Sequence, residues 1–366
     1  MPEPTRIPGG WRVGDPAGQR RFQALAGLDP LLLESGESLP DVSLAYEAWG
    51  TLNAERSNAV LLLHGFSGDS HASGPAGPGH RSEGWWNGLI GPGRAIDTDR
   101  LYVLCPNVLG GCQGSTGPSS LAPDGRPYGS RFPSLSIRDL VAAEQRWADA
   151  LGIEHWHAVI GGSLGGMRAM EWAIAAPTRL DRLVLLATTA ACTPENRAFH
   201  STQIQAIELD PAFCGGDYYG DPGGGPVRGL SLARTIARLT YGCERELERL
   251  SRQQHAHDIC LFLQQDAEHL TCRFDANSYV LLTNAMSNHD VGRGRGGIAK
   301  ALAGVQARTR VVSISSDRLF PPHQQLLLAQ CLHAGVTFTS IESHLGHDGF
   351  LFEQGPLDPI LRQSLG

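Results

Sequence analysis

Short apolar segments alternate with amphipathic segments along the first half of the chain. Continuous runs of Val, Leu and Ile predict buried strands, whereas apolar residues at helical spacing predict a helix over 136–152, with Ser136 as its cap and Gly152 at its end. Strands that alternate with helices form a mostly parallel sheet covered on both faces, so the fold class is α/β. The predicted strands of this half are 58–64, 100–106, 156–161 and 181–190.

The alternation stops after the last of these strands and returns near the C-terminus. Residues 193–290 are mostly helical in pattern, with a Gly- and Pro-rich loop at 215–229. Strand patterns at 309–317 and 336–343 then flank a helix at 321–335. We therefore expect a core in two parts, interrupted by an inserted helical unit. The expected division is 1–190 for the first part of the core, 191–290 for the insertion and 291–366 for the second part.

Composition narrows the class of protein. The chain has 366 residues, 41% of them hydrophobic, and a formal net charge of −7. These values fit a globular protein and argue against nucleic acid as its main partner. No apolar run approaches the ~20 residues that cross a bilayer, and the N-terminal residues lack the basic-then-apolar pattern of a secretory signal. We therefore expect a cytoplasmic protein that has no membrane partner.

Neither the cysteines nor the histidines are spaced like the ligands of a metal site. The eight cysteines have no close pair at metal-ligand spacing, so we expect reduced and mostly buried thiols. The histidines show no ligand pattern either, and no metal is expected. The histidines considered are His64, His71, His80, His155, His157, His255, His257 and His289.

One serine lies between two pairs of glycines where a predicted strand meets a predicted helix. The motif Gly161-x-Ser163-x-Gly165 has the form of a nucleophile elbow, in which a sharp turn exposes the serine hydroxyl and leaves no room for neighbouring side chains. The backbone N–H of Leu164 would then lie at a helix N-terminus, where it can stabilise an oxyanion. Glycine pairs also occur in plain turns, but the strand-to-helix context favours a catalytic nucleophile.

A nucleophilic serine needs a base, and the base needs an orienting acid. Asp317 follows the strand at 309–317, and His347 follows the last predicted strand, so the chain order Ser, Asp, His is the one found in α/β-hydrolases. Taken alone, Asp317 is equally well explained as a helix cap. His344 competes with His347, but it lies closer to the strand and lacks a following acidic residue, so we favour His347.

The second oxyanion donor is expected in the turn after the strand at 58–64. Gly65 and Gly68 bracket this turn, and the backbone N–H of Phe66 is the candidate donor. His64 precedes it and is predicted to be a structural hydrogen-bonding residue rather than a base.

Long segments of the chain match one family, in the same order and over nearly the full length. The chain resembles the homoserine O-acetyltransferases, acyltransferases of methionine biosynthesis that have the α/β-hydrolase fold. The segments that carry the resemblance read GWWNGLIGPGRAIDTDRLYVLCPNVLGGCQGSTGPSS, VIGGSLGGMRAMEW, GGDYY, GLSLARTIARLTY, CRFDANSYVLLTNAMSNHDVGRGRGG, SDRLFPPHQQ and GHDGFL.

The resemblance implies a ping-pong reaction in which Ser163 takes the acetyl group from acetyl-CoA as a co-substrate, with no permanently bound cofactor. By position, Arg234 matches the arginine that binds the α-carboxylate of the acceptor, and Asp348 matches the carboxylate that receives its α-ammonium. Tyr241 matches a tyrosine near that site. The insertion would form a lid over the site and mediate a homodimer.

Several alternatives remain open at this point. The turn Gly65-Phe66 stands where the family commonly has Ala-Leu, so L-serine or the hydroxyl of a specialised metabolite is an alternative acceptor. Succinyl-CoA is an alternative donor, although the segment at 107–118 looks more like the acetyl-using relatives. Other classes are a serine hydrolase (esterase), which lets water reach the acyl-enzyme, and a non-catalytic relative that acts as a binding module.

Overall fold

The computed structural model describes residues 9–25, 29–220, 223–253, 258–332 and 335–366. Its centre is an eight-stranded sheet in the order β1-β2-β4-β3-β5-β6-β7-β8. The pairs β1–β2 and β2–β4 are antiparallel, and the five remaining pairs are parallel. The strands are β1 Arg21–Ala24, β2 Ser43–Trp49, β3 Ala59–Leu63, β4 Tyr102–Pro106, β5 Ala158–Gly162, β6 Arg182–Leu186, β7 Arg308–Ile314 and β8 Thr337–Ile341.

The central strands are apolar on both sides because both faces of the sheet are covered. Successive side chains of a strand point to opposite faces. In β3, Leu61 and Leu63 therefore join one buried core, while Val60 and Leu62 join the other. This double burial explains why these strands appear in the sequence as continuous apolar runs, and it confirms the predicted α/β class.

Helices cover the two faces and form the insertion between β6 and β7. The first of them is capped as predicted: the Ser136 side chain accepts from the backbone N–H of Asp139, whose carboxylate in turn accepts from Ser136. The helices are α1 Ile137–Ala150, α2 Leu164–Ala175, α3 Pro194–Glu208, α4 Val227–Tyr241, α5 Glu244–Gln253, α6 Ile259–Thr271, α7 Ala276–Ser287, α8 Ile298–Leu302, α9 Pro322–Cys331, α10 Gly349–Phe352 and α11 Gln354–Leu365.

The insertion leaves the sheet after β6 and returns to the neighbouring strand β7, so both of its ends are fixed beside the same part of the sheet. Helix α4 starts at Val227, so the last residues of the predicted loop at 215–229 are helical. The three-part division at residues 190 and 290 stays a prediction. Within the described residues, no helix combines the length and apolar character that a bilayer crossing requires.

Some sequence-based expectations fall where the structure gives no description. The first eight residues, considered above for a targeting signal, lie outside the described residues, as do His255 and His257. Strands β1 and β2, which extend the sheet at its antiparallel edge, were not among the predicted strands.

Candidate active site

Ser163 is located on a strained turn between β5 and α2. Its backbone has φ 56° and ψ −123°, which non-glycine residues rarely adopt. The turn is held in place because the Ser163 N–H donates to the Leu186 carbonyl at 3.0 Å and the Thr188 hydroxyl donates to the Ser163 carbonyl at 2.9 Å. The surrounding structure thus fixes the conformation that presents the hydroxyl.

The glycines on either side of Ser163 allow the strand and helix to approach closely. A Cβ at Gly161 would lie 2.1 Å from the carbonyl oxygen of Gly165, and a Cβ at Gly165 would lie 1.9 Å from the carbonyl oxygen of Leu63. Both obstructing atoms belong to the backbone. These positions therefore require glycine, as the nucleophile-elbow interpretation of the motif predicts.

The three residues predicted as a catalytic triad meet at the carboxyl ends of β5, β7 and β8. His347 Nε2 lies 2.9 Å from Ser163 Oγ, and His347 Nδ1 lies 2.8 Å from Asp317 Oδ2. All three side chains are buried. His344, the competing histidine, is instead exposed and contacts Arg245. The geometry is that of a nucleophile, a base and an orienting acid.

The second oxygen of Asp317 is also occupied. Oδ1 accepts hydrogen bonds from the backbone N–H groups of Leu319 and Phe320, each at 2.9 Å. Asp317 therefore caps the following turn as well as orienting His347, and the two interpretations of this residue are compatible.

Aromatic rings surround His347, and the carboxylates of Asp317 and, more weakly, Asp348 raise the pKa of its imidazole. Burial alone would lower the pKa of its imidazole, but the charge and hydrogen bond of Asp317 outweigh burial, and the net pKa is raised above the ordinary 6.5. The rings of Phe320 and Phe350 pack edge-on against it, both at 5.4 Å between centroids. A base with its pKa raised in this way is suited to accepting the Ser163 proton near neutral pH.

We expect Asp317→Asn to slow acylation of Ser163 and to shift its pH dependence. Acylation requires a neutral imidazole, so the rate rises as pH increases through the His347 pKa, with a midpoint above 6.5 in the parent protein. The substitution removes the charge that offsets burial, so the midpoint moves to lower pH, and the rate falls by about 10³–10⁴-fold. Release of p-nitrophenol from p-nitrophenyl acetate between about pH 5 and pH 9 measures both effects.

Asp358→Asn is the matched control for this substitution. Asp358 pairs with Arg362 on α11 at 2.7 Å, away from the triad, and its loss should leave the profile unchanged. A midpoint that does not move in Asp317→Asn would contradict the assigned role of the carboxylate.

Two backbone N–H groups are available to an oxyanion beside Ser163. Leu164 is the first residue of α2, so its N–H is among those without an intrahelical acceptor. The turn that carries Phe66 approaches from β3, and a Cβ at Gly65 would lie only 3.8 Å from the Ser163 Cβ. The structure thus places both predicted donors, Phe66 and Leu164, on segments that border the nucleophile.

His64 fixes this turn as a neutral residue. Its Nδ1 lies 2.7 Å from the Gly65 carbonyl oxygen and must carry the proton, while Nε2 accepts from the Val108 N–H at 3.1 Å. Burial, together with the nearby charge of Arg168, lowers the pKa of His64 to about 3. His64 is therefore a structural anchor, as the sequence suggested.

A cavity of about 1280 Å³ opens above the triad. Ser163, His347 and Phe66 form part of its wall, together with Tyr241 and Asp348 of the predicted acceptor site. Residues from the segments 9–20 and 77–85 also line it. A cavity of this size accommodates a drug-sized or larger ligand.

The residues predicted to bind the acceptor already make contacts within the protein. Arg234 donates through Nε and Nη2 to Asp266, at 2.7 and 3.1 Å, and its guanidinium carbon lies 5.9 Å from the centre of the Tyr241 ring. Tyr241 and Asp348 line the cavity, whereas Arg234 is not among the described residues that do. The binding roles of Arg234, Tyr241 and Asp348 stay predictions.

Sequence reasoning missed Arg238, which holds Asp348. The guanidinium of Arg238 bonds to the Asp348 carboxylate and, at 2.6 Å, to Glu246. Arg238 lies one helical turn after Arg234 on α4, so both arginines face the same side of the helix. In the sequence, the available signal was a charged residue one helical turn after Arg234, and such a residue also fits a solvated helix face.

Two histidines that line the cavity meet a buried carboxylate. His71 Nδ1 lies 2.9 Å from one oxygen of Glu47, and His80 Nε2 lies 3.5 Å from the other. The two imidazole rings are stacked, 3.7 Å apart and 10° from parallel. A metal ion lies in the ring plane of each histidine that binds it, so these parallel rings do not converge on one point. The absence of a metal stays a prediction.

The fold and the site together define a class: an α/β-hydrolase with a candidate nucleophilic serine, a His–Asp pair and two candidate oxyanion donors. A family described as alpha/beta hydrolase fold matches residues 58–354. The homoserine O-acetyltransferase of Thermobifida fusca is 53% identical over 99% of this chain and 98% of its own length, and that of Leifsonia xyli is 50% identical over 97% and 91%. The chain belongs to the homoserine O-acetyltransferase family.

Solved structures agree with this assignment. Homoserine O-acetyltransferase from Bacillus anthracis is 29% identical, covers 95% of this chain and 97% of its own, and superposes with a TM-score of 0.84. A structure named esterase E22 is 28% identical, covers 95% of this chain and 99% of its own, and has a TM-score of 0.86. Proteins named as transferases and as esterases therefore share this architecture.

Proposed function

We propose that this protein is an O-acetyltransferase that moves the acetyl group of acetyl-CoA to the side-chain hydroxyl of L-homoserine. One observation carries the proposal: eight relatives at 46–53% identity, each covering 92% or more of this chain, are all named homoserine O-acetyltransferase. The arrangement of Ser163, His347 and Asp317 supports a reaction through an acyl-serine. On the same grounds we place the reaction in methionine biosynthesis.

In the first half-reaction, Ser163 attacks the thioester carbonyl. His347 takes the hydroxyl proton through Nε2 while Asp317 stabilises the imidazolium that forms. The N–H groups of Phe66 and Leu164 stabilise the oxyanion of the tetrahedral intermediate, a contribution of about 3–4 kcal/mol per donor. The C–S bond then breaks, His347 returns the proton to the sulfur, and CoA leaves as the free thiol.

In the second half-reaction, the acceptor hydroxyl attacks the acetyl-serine ester. His347 removes the hydroxyl proton, the same N–H groups hold the second oxyanion, and the bond from the acetyl carbon to Ser163 Oγ breaks. The proton passes from His347 to Ser163, and the acetylated acceptor leaves. Water competes for the same ester, so covering of the site by the insertion favours transfer over hydrolysis.

The charges beside the cavity suit an acceptor that carries an ammonium group. The arginines Arg234 and Arg238 face three carboxyl groups, those of Asp266, Asp348 and Glu246. Burial raises the pKa of Glu246. An α-ammonium would pair with the Asp348 carboxylate, and an α-carboxylate would share the guanidinium of Arg234 with Asp266.

A homodimer and a cytoplasmic location belong to the same proposal. Large apolar side chains are exposed on the helices of the insertion, where a second copy would cover them. These side chains are Phe199 on α3, Leu232 and Leu239 on α4, and Leu261 on α6.

Hydrolysis is the second candidate function, because several similar structures are named as esterases. The acyl-enzyme would be the same, and only the identity of the attacking hydroxyl would differ. Relatives at up to 53% identity outweigh structures at 27–28% identity, so we favour transfer.

We expect thiol release from acetyl-CoA beyond one equivalent per enzyme to require an amino-acid acceptor and to be fastest with L-homoserine. The purified protein is mixed with acetyl-CoA or succinyl-CoA, and with L-homoserine, L-serine or no acceptor, while free thiol and acylated product are measured. L-serine is one methylene shorter, so we expect it to react about 10–200-fold more slowly. Succinyl-CoA should be a poor donor.

Each other outcome identifies a different enzyme. Equal thiol release with and without an acceptor would establish a hydrolase. Faster acetylation of L-serine than of L-homoserine would reassign the acceptor, and faster reaction of succinyl-CoA would reassign the donor.

A further inference from the structure

The turn that carries the Phe66 N–H is held from two sides. On the core side, His64 binds the Gly65 carbonyl through Nδ1 at 2.7 Å. On the other side, the contacts come from the segment between α6 and α7 of the insertion. The candidate oxyanion donor is therefore positioned partly by residues about 200 positions away in the chain.

Arg273 makes the polar contacts from the insertion. Its Nη1 donates to the Ser67 carbonyl at 2.7 Å, and its Nη2 donates to Asp69 Oδ2 at 3.0 Å. The other Asp69 oxygen accepts from the His71 N–H at 2.9 Å. Burial alone would raise the pKa of Asp69, but the charges of Arg273 and Arg20 outweigh it and lower that pKa to about 2, so Asp69 is ionised. One guanidinium thus spans the residues that follow Phe66.

The neighbours of Arg273 hold the Phe66 side chain as well. The Phe66 ring stacks on Phe274 at 5.8 Å and meets Tyr279 edge-on at 4.8 Å between centroids. The main chain of Phe66 is therefore flanked by an anchored carbonyl at Gly65 and another at Ser67, while its ring is enclosed by the insertion. Few directions remain in which the Phe66 N–H could move.

We infer that Arg273 is a positioning residue for the oxyanion hole: its two-pronged contact with Ser67 and Asp69 keeps the Phe66 N–H aimed at the reacting carbonyl. The inference rests on the acyl-serine chemistry proposed above, but on neither the acceptor nor the donor. A fork is required because the two acceptors are a carbonyl and a carboxylate in different directions, and the single ammonium of lysine serves one of them well.

Arg273 also lines the cavity with 29% of its side chain exposed, so contact with a donor phosphate is the competing role. The two roles differ for a donor that carries no phosphate. A positioning residue supports acylation by any acetyl donor, whereas a phosphate-binding residue acts only on acetyl-CoA.

The test compares Arg273→Ala and Arg273→Lys with both p-nitrophenyl acetate and acetyl-CoA. We expect Arg273→Ala to lower the acylation rate by about 10–100-fold with both donors, less than the 10²–10³-fold typical for outright removal of an oxyanion donor. The effect should appear in kcat rather than in KM, and Arg273→Lys should restore part of the rate. The midpoint of the pH profile should not move, because the Asp317–His347 pair is untouched.

Two further variants keep the test decisive. Asp69→Asn removes the charged partner of Arg273 and should also reduce the acylation rate. This variant can therefore test the inference even if Arg273→Ala fails to fold. Arg252→Ala is the matched control, because Arg252 is 70% exposed and pairs with Glu248 on α5 of the same insertion. Thermal unfolding of each variant separates loss of folded protein from loss of rate.

Two outcomes would overturn the inference. Normal acylation by p-nitrophenyl acetate with a raised KM for acetyl-CoA would assign Arg273 to donor binding. Unchanged rates with both donors in folded Arg273→Ala would remove its role altogether. Failure of the acceptor assay would leave the p-nitrophenyl acetate result intact, so the two proposals fail separately.

Discussion

Replacement of Ser163 by alanine is expected to abolish the acetyl-enzyme and to reduce acetyl transfer by about 10⁴-fold or more. The hydroxyl is the only group that His347 Nε2 faces at 2.9 Å within the described site, and its removal leaves the base without a proton to take. Intact-protein mass spectrometry after mixing with acetyl-CoA, in the absence of an acceptor, measures the acetylated fraction directly.

Ser364→Ala serves as the control for this experiment. The Ser364 hydroxyl bonds only to the Ile360 carbonyl of its own helix among its described contacts, at 2.7 Å, so full activity is expected. A persistent mass increase in Ser163→Ala would mean that another residue carries the acyl group, and the site assignment would have to be abandoned.

Gly165→Ala is expected to disrupt both the fold and the chemistry. The added Cβ would lie 1.9 Å from the Leu63 carbonyl oxygen and 2.8 Å from that of His64, so the end of β3 and the start of α2 must separate. We expect the free energy of unfolding to fall by about 3 kcal/mol or more. Acylation should fall by about 10²-fold, because the movement displaces Ser163 relative to the Phe66 turn. Urea unfolding and p-nitrophenyl acetate kinetics measure the two effects.

Gly355→Ala provides a contrast at a glycine of α11. No atom beyond its chain neighbours lies within 4 Å of the position of its Cβ, and Pro356 follows it, so the same substitution should leave activity unchanged and alter the free energy of unfolding by about 1 kcal/mol or less. Equal stability of Gly165→Ala and the parent protein would show that strand and helix separate without cost, contrary to the close packing described here.

The sequence was sufficient for the parallel part of the sheet, because its strands are buried on both faces. Residues 59–63 of the predicted run 58–64 are all apolar, and the structure has Ala59–Leu63 as a strand there. Strand β2, Ser43–Trp49, which pairs antiparallel with β1 and β4, gave no such signal. Glu47 occupies its interior and is buried through contacts with His71 and Ser70, which no local pattern could indicate.

The same distinction applies to the site. Ser163, Asp317 and His347 could be proposed because each follows a strand, and parallel strands bring their carboxyl ends to one edge of the sheet. Arg238 and Arg273 could not, because their partners Asp348 and Asp69 lie 110 and 204 positions away in the chain. In the sequence, an arginine of the insertion looks like a surface charge, because only the fold brings the carboxylate that it binds close to it.

Both carboxylate oxygens of Asp317 accept hydrogen bonds, and this restricts which side chains could replace it. Two amides donate to Oδ1 and the imidazole donates to Oδ2, so the residue must accept on both sides at once. Asparagine has only one accepting atom, and either orientation of its amide would point an NH₂ group at a donor. The mildest way to relieve that clash is for the imidazole to move its proton to Nε2, where it can no longer take one from the serine. The backbone N–H groups of Leu319 and Phe320 thus require a carboxylate at this position. No rotamer of asparagine could accept from these amides and from the imidazole at the same time.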